Sequence, residues 1–573
     1  MSYDTSLKHS KQYLGLGKTL FNSSAAVVIG DSIDSNQILL TERLTQKKAS
    51  GAWPELAISI LENEYGPNYN VIAENRDVIS PICFEEAINT TIPFFPYLKK
   101  KGLHHYTSHF NKNIKYITHH LSHAYAALAM SPYQSSIIIV MDGAGSGSVD
   151  FQNDYKSSNE QVSFPKNSHE SCSIYLQTGP NLKLLKKDWQ TFRKSQVPGH
   201  DFSEGIGMLY EKAAEYIFNN KRSAGKVMGL AGFGHAQNII DPFNYLESLN
   251  WEHSFKVGSK EDWENSPFQS NYQDIAASVQ ITYENHLNKL IRDLKMEFPQ
   301  IDNLILTGGT ALNCTNNFKL LNSKVFNNIY IPPFPSDECI SYGVSNYFFI
   351  NENRDLWTPK DLSKQHGFLG SPNSIPKEDA TLEVFKNYEI VCPVDIIDFT
   401  SELLVKGKVI GWFQGRSETG PRALGNRSIL ANVETPNLKS YLNESIKFRE
   451  DFRPYGCSVL QEKASEYFSI SKGFHNPYMS FAVPVRSIFQ KRLKEVSHID
   501  KTSRMQTVTE DFNSKFYSLL KSFGDKSGLY CLLNTSLNIM GKPIAETVLD
   551  AKTFLDSTNV DGIVIGNIYI KKN

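Results

Sequence analysis

The chain is expected to fold as an α/β protein of two units, and three features carry that expectation. Apolar runs of strand length, such as Ser136 to Met141, alternate with helix-spaced segments such as Leu121 to Met130. Glycine-rich turns stand between them at Asp142-Gly143 and Thr307-Gly308-Gly309. At 573 residues the chain is too long for one core, so about two to four domains are expected.

The elements follow in order. Tyr13 to Gly15, Ala25 to Ile29 and Gln37 to Leu40 read as strands, and Pro54 to Glu64 as a helix. Leu121 to Met130 has helical spacing and small residues, and Ser136 to Met141 is a buried strand. Asp150 to Ser171 is polar and reads as an exposed loop. Gly205 to Phe218 and Tyr272 to Phe298 read as helices. Leu304 to Leu306 and Val325 to Ile331 read as strands, each leading through a turn into a helix, the second near Ile340 to Phe349. This alternation points to parallel sheets. Asn351 to Asp379 is polar with several prolines and reads as a connection. The domains are therefore drawn at 1–355 and 381–573, with 356–380 as linker. In the second unit, strands are expected at Val409 to Phe413, Ser428 to Leu430, Cys457 to Leu460, Tyr530 to Leu533 and Gly562 to Ile565.

Composition removes some functions. Lys+Arg 59 against Asp+Glu 60 leaves a net charge of -1, which gives no broad electrostatic grip on nucleic acid. The seven cysteines form no CxxC pair, which argues for a reducing cytoplasm without a disulfide framework. No signal peptide is recognisable, and the longest apolar runs are too short to cross a membrane.

Against that neutral background one region stands out. Gly411 to Leu430 and Ile446 to Gly456 place Arg416, Arg422, Arg427, Lys447, Arg449 and Arg453 among glycines and prolines. Guanidinium forks bind two oxygens of a phosphate or carboxylate at once, so such a group reads as an anion pocket. A second constellation lies in the N-terminal half. His119 and His123, four apart at a helix start, share one face and can converge on an ion. Asp142, at a strand end, and Asp337, after another strand, can complete the set. Two imidazoles and two carboxylates suit Fe²⁺, Zn²⁺ or Mn²⁺ better than calcium. The run Leu306 to Asn317, with Gly308-Gly309 and Asn313, can present backbone N–H groups to a phosphate or ribose. Gly225 to Gly234 is a second glycine-rich segment, carrying Lys226.

In this order the motifs HHLSHA, MDGAG, GKVMGLAGFG, GGTALNC, PPFPSDE, FQGRSETGPRALGNRSIL, KFREDFRPYG, RMQTV and LLNTSLN resemble the NodU/CmcH-type O-carbamoyltransferases. The resemblance runs from about residue 12 to 570. It implies an N-terminal actin-like ATPase (ASKHA-type) domain and a C-terminal YrdC-like α/β domain. The C-terminal domain would make carbamoyl-adenylate from carbamoyl phosphate and ATP, with Mg²⁺ accompanying the nucleotide. The N-terminal domain would pass the carbamoyl group to a small-molecule acceptor beside a divalent metal, Fe²⁺ before Zn²⁺ or Mn²⁺. By that pattern Lys447, Arg453, Arg422 and Ser536 match the activation site. Arg427, Arg504 and Asn534 match its anion-binding surroundings, with Arg416, Arg449, Lys226, Gly143, Gly308, Gly309 and Asn313 as further contacts to ATP. His119, His123, Asp142 and Asp337 match the metal ligands. Implied partners are carbamoyl phosphate, ATP and the acceptor, without nucleic acid or membrane; the oligomeric state is open, a homodimer included.

Three departures concern the acceptor half. The family's His-Asp-(Ala/Ser)-Ser run is Phe21-Asn22-Ser23-Ser24, an acidic position before Gly-Lys falls on Ser223-Ala224, and a glycine after Asp337 is Cys339. Phenylalanine cannot take a proton. An amine or guanidine acceptor, another base such as His200 beside Asp201, or changed chemistry in this domain would each answer that. Threonylcarbamoyl-type tRNA modification and a nucleotide-binding scaffold are the competing functions. A metalloprotease is set aside because HExxH is absent: His120 follows His119.

Overall fold

The computed structural model describes residues 11–19, 22–30, 33–48, 54–66, 69–76, 115–148, 165, 167–198, 200–375 and 378–573. Strand β1 (Tyr13–Lys18) pairs antiparallel with β2 (Ser23–Val28), and β2 with β3 (Gln37–Leu40). On its other edge β1 pairs parallel with β4 (Val71–Arg76), and β4 with β5 (Lys115–Thr118), giving the order β3-β2-β1-β4-β5. The second sheet repeats the plan. Strand β6 (Ser135–Met141) forms an antiparallel meander with β7 (Ser168–Thr178) and β8 (Asn181–Thr191). The short pair β9 (Arg193–Lys194) and β10 (Asp201–Phe202) follows. Strands β11 (Asn303–Thr307) and β12 (Asn328–Tyr330) then add in parallel on the far side of β6. The order β12-β11-β6-β7-β8 is that of the first sheet read from its other end. Two copies of one mixed sheet are the plan of an actin-like ATPase domain.

The α/β expectation therefore holds, but the sheets are mixed rather than parallel. The β7–β8 hairpin lies where a polar loop is expected up to Ser171. Its polar residues Ser168, His169, Glu170 and Ser173 are buried, so no apolar alternation marks β7. Residues 150–164 of that expected loop lie outside the described residues.

The C-terminal half forms one nine-stranded sheet, ordered β13-β21-β20-β14-β15-β19-β16-β18-β17. Its strands are β13 (Glu389–Val391), β14 (Ile410–Phe413), β15 (Arg427–Asn432), β16 (Gly456–Leu460), β17 (Ala482–Pro484), β18 (Thr502–Val508), β19 (Cys531–Ser536), β20 (Gly562–Ile565) and β21 (Ile568–Lys571). This is the α/β unit to which the resemblance gives the YrdC-like name.

The halves are not beads on a string. One apolar cluster runs from Ile139 and Leu306 through Phe452 to Ile563. The Arg43 guanidinium donates to the carbonyls of Glu418, Thr419 (3.3 Å) and Gly420 (2.7 Å). The stretch read as a linker packs as well: Trp357, Phe368 and Leu369 are buried, and Leu369 O accepts from Ile38 N at 2.8 Å.

Candidate functional site

The helix His119–Ala129 begins directly after β5, so His119 and His123 emerge at a strand end with both rings buried. Asp142 follows β6, and Asp337 opens the turn Asp337–Cys339 that leads into the helix Ile340–Glu352. One donor atom from each lies within 4.8 Å of all the others. Asp142 Oδ2 is 3.3 Å from His119 Nε2 and 3.2 Å from His123 Nε2; Asp337 Oδ1 is 3.6 and 3.7 Å away from the same atoms. The two Nε2 atoms face each other at 3.2 Å, where both cannot carry a proton. A tetrahedral ion with ligands at about 2.0–2.2 Å sets neighbouring donors about 3.3–3.6 Å apart, so the four residues fit a divalent metal. Burial opposes charge on His123, but Cys339, Asp142 and Asp337 outweigh it and raise its pKa well above the usual value. Burial likewise opposes charge on Asp142, and both histidines pull its pKa well down. Outside the four, Thr19 Oγ1 donates to Asp337 Oδ2 at 2.7 Å, and Cys339 Sγ lies 3.2 Å from His123 Nδ1.

The glycine-rich turn comes against this cluster. Gly308 has φ +89°, and a Cβ there would stand 2.3 Å from Met141 O, so only glycine fits. Thr310 Oγ1 donates to Met141 O at 2.9 Å, and Gly309 lies beside Asp142 Oδ1. A 3₁₀ turn, Gly309–Leu312, leads on towards the helix Cys314–Ser323. Asn313 is committed to structure. Its Oδ1 caps Asn316 N (3.1 Å), and its Nδ2 donates to Tyr210 OH (3.2 Å) and Gln280 Oε1 (2.9 Å). Gly143 N donates to Asp142 Oδ1 at 2.8 Å, and the Glu211 carboxylate fills the space beside its Cα. Burial, with Asp142 nearby, pushes Glu211 up to about 8. Nothing in the sequence pattern marks Glu211.

The cations divide into two sets. Lys447 is 3% exposed, and its Nζ donates to Ser536 O (2.7 Å), Ser536 Oγ (3.2 Å), Asn538 O (2.7 Å) and Asn538 Oδ1 (2.5 Å). Arg449 Nε donates to Asn443 Oδ1 at 3.0 Å, and its guanidinium lies 4.1 Å from the Tyr455 ring centre. Glu450 is shared by Arg453 (3.4 Å) and Lys226 (2.5 Å), which come from different halves. Burial first, then mutual repulsion, lowers Lys48, Lys226, Arg422, Lys447, Arg449 and Arg504, and Arg453 is among the repelling cations for every one. Lys48 and its neighbour Glu42 belong to the N-terminal half, and sequence reasoning missed both. Arg422 and Arg504 also have Cys314 beside them, and Glu338 faces Arg422. Burial first, then Glu42 and Asp337, pushes Glu338 up to about 7 despite its bond from Ser336.

The second set is structural. Arg427 is fully buried, 3.6 Å from the Phe413 ring centre, and donates to the carbonyls of Gln414, Asn426 and Gly415. Arg416 donates to the carbonyls of Asp34, Asn36, Leu369 and Gly370 and so ties the halves together. Both were expected on ATP; the terminal nitrogens of each are taken up by carbonyls. Asn534 Nδ2 is likewise engaged, by Ala423 O, Ser458 Oγ and Gln506 Oε1. The glycine-rich Gly225 to Gly234 segment is helical at Ala224–Leu230 and Ala231–Phe233. His200 stacks among Trp251, Phe255 and Phe202, with Lys212, Glu215, Lys221 and Asp201 as charged neighbours, none of them of the metal set. Phe21 lies outside the described residues; Asn22 N closes a turn on Thr19 Oγ1 at 3.0 Å.

Comparison with known proteins bears on the chain as a whole. The family model "Carbamoyltransferase N-terminus" matches residues 12–345, and "Carbamoyltransferase C-terminus" matches 401–572. Nodulation protein NolNO of Sinorhizobium fredii is 32% identical over 474 residues, 80% of this chain and 64% of that protein, so just under two thirds of NolNO is spanned. Nodulation protein NolO of Bradyrhizobium diazoefficiens is 30% identical over 471 residues, 80% of this chain and 79% of that protein. The 3'-hydroxymethylcephem-O-carbamoyltransferase of Streptomyces clavuligerus is 26% identical over 360 residues, 61% of this chain and 65% of that protein. Matched across both of its halves, the chain belongs to the carbamoyltransferase family of enzymes.

Proposed function

We propose that the protein is an ATP-dependent carbamoyltransferase acting in two steps, divided between residues 381–573 and residues 1–355. In the first, carbamoyl phosphate, ATP and water give carbamoyl-adenylate, inorganic phosphate and pyrophosphate. In the second, an acceptor hydroxyl, amine or guanidine attacks the carbamoyl carbon, the bond to the AMP oxygen breaks, and AMP leaves. The acceptor is a small molecule of natural-product type, in keeping with relatives named for nodulation and for a cephem.

The observation that carries this reading is the group of cations around Arg453, drawn from both halves and short of counter-ions. Cations that depress one another's pKa values are waiting for a polyanion, and two phosphate substrates supply one. Lys447 would neutralise phosphate oxygens, with Ser536 and Asn538 holding its ammonium in place. Arg422, Arg453 and Arg504 would spread the charge of the leaving pyrophosphate. A buried site between the halves would also keep water from the reactive anhydride. At the second site His119, His123, Asp142 and Asp337 would hold a divalent metal, which supplies charge stabilisation for the departing AMP. Glu211 and the Gly308-Gly309 turn border that position and would orient what binds there.

The test needs no acceptor. Purified protein with ATP and carbamoyl phosphate is expected to yield carbamoyl-adenylate by mass spectrometry and free pyrophosphate, each requiring both substrates. Product with ATP alone, or none at all from folded protein, would overturn the first step.

A further inference from the structure

The turn Asp337–Cys339 does two things at once. Its first residue points a carboxylate at the histidine pair. Its last residue places Cys339 Sγ 3.2 Å from Nδ1 of His123, whose Nε2 faces the donor cluster. Both side chains are buried, at 1% and 0% exposure, so no water competes for that nitrogen. An imidazole that gives its Nε2 lone pair to a cation must keep its proton on Nδ1, and that proton needs an acceptor. Within the buried pocket Cys339 sulfur is the partner the geometry supplies.

We propose that Cys339 is a positioning residue for the metal centre. It accepts the Nδ1–H of His123, fixes the ring's tautomer and rotation, and thereby aims Nε2 at the ion. The inference rests on the metal-site reading of His119, His123, Asp142 and Asp337, not on the carbamoyl chemistry. It is particular to this chain, because the resemblance puts glycine at this position, and glycine offers no side-chain acceptor. Outer partners of metal-bound histidines characteristically carry about 10- to 100-fold in affinity.

Cobalt(II) serves as the probe, with affinity measured by chelator competition and geometry by visible absorption. Cys339→Ala is expected to bind Co²⁺ about 10- to 100-fold more weakly and to shift the absorption bands. Cys339→Ser, which restores an acceptor at similar reach, is expected to recover most of both. Thermal unfolding with chelator present checks that the variants fold alike. Wild-type affinity and spectrum in Cys339→Ala would overturn the proposal. So would a sulfur-to-cobalt charge-transfer band in the wild type, which would make Cys339 a ligand. Failure of the wild type to bind Co²⁺, or binding untouched by His123→Ala, would instead remove the metal-site reading beneath it.

Discussion

Arginines that look alike in sequence separate sharply once their hydrogen bonds are traced. Arg427 spends its guanidinium on three carbonyls in a fully buried setting, so Arg427→Ala is expected to cost about 3 kcal/mol of stability in denaturant unfolding, because buried carbonyls are left without donors. Lysine at that position should not rescue it, since one ammonium cannot reproduce the fork. Lys447, also held by carbonyls, lies among the cations around Arg453. Lys447→Ala is expected to lower adenylate formation about a hundredfold or more in protein that still folds; relief of a buried charge and loss of the donor to the Ser536 and Asn538 carbonyls act in opposite directions on the unfolding midpoint. An unchanged rate of pyrophosphate release would misplace the activation site. His123→Ala should lose bound metal and acceptor transfer yet still form carbamoyl-adenylate; equal loss of both steps would mean one composite site.

At the scale of elements, the proposed metal donors depend on two helices packed closely enough to leave no room for a side chain. Gly343, on the helix Ile340–Glu352, lies so near Ser122 that a Cβ would come within 1.8 Å of Ser122 O. Ser122 sits between His119 and His123 on the partner helix. Gly343→Ala is therefore expected to push the helices apart, costing about 1–3 kcal/mol and lowering the metal content of purified protein. Metal analysis beside a melting curve checks both, and retained metal would show that the histidines do not rely on this crossing. Strand ends play the same part for the carboxylates: β6 delivers Asp142, and β11 delivers the Gly308 turn that packs against it.

For the whole molecule, the consequence of the two-sided cation cluster is linkage between substrate and protons. Lys447 in the free protein has a pKa well below 10.5, first from burial and then from Arg449, Lys48 and Arg453. A bound phosphate replaces repulsion with attraction and raises that pKa. Between the lowered value and the raised one, binding must take up a proton. Pyrophosphate binding is thus expected to show net proton uptake on the alkaline side, below pH 10.5, read by calorimetry in buffers of different ionisation enthalpy. Uptake should vanish in Lys447→Met; its persistence there would assign it to another group. Pyrophosphate should also raise the melting temperature, because it binds the folded cluster alone.

Much of this was legible in the residues themselves. The His119–His123 spacing, Asp142 at a strand end, the Gly308 turn and the KFREDFRPYG cations all rest on local pattern: helical periodicity, the freedom of glycine, and charges grouped along the chain. What local pattern could not decide was which charged groups are brought together and which are spent on the scaffold. Lys48, Glu42, Thr19 and Glu211 carry no motif and enter the sites only because distant segments fold beside them. Arg416 and Arg427 sit inside the most specific motif of the chain, yet backbone carbonyls from turns and from the other half take their donors. The β7–β8 hairpin escaped for the same reason, because its buried face is polar and satisfied partly from outside the hairpin, as where His120 N donates to Glu170. Sequence by itself determined the α/β class and the family, and it named residues of both proposed sites. Only tertiary structure decided which cations gather around Arg453 and which are tied between strands and halves, because that depends on where every other charge and hydrogen-bond acceptor finally lies.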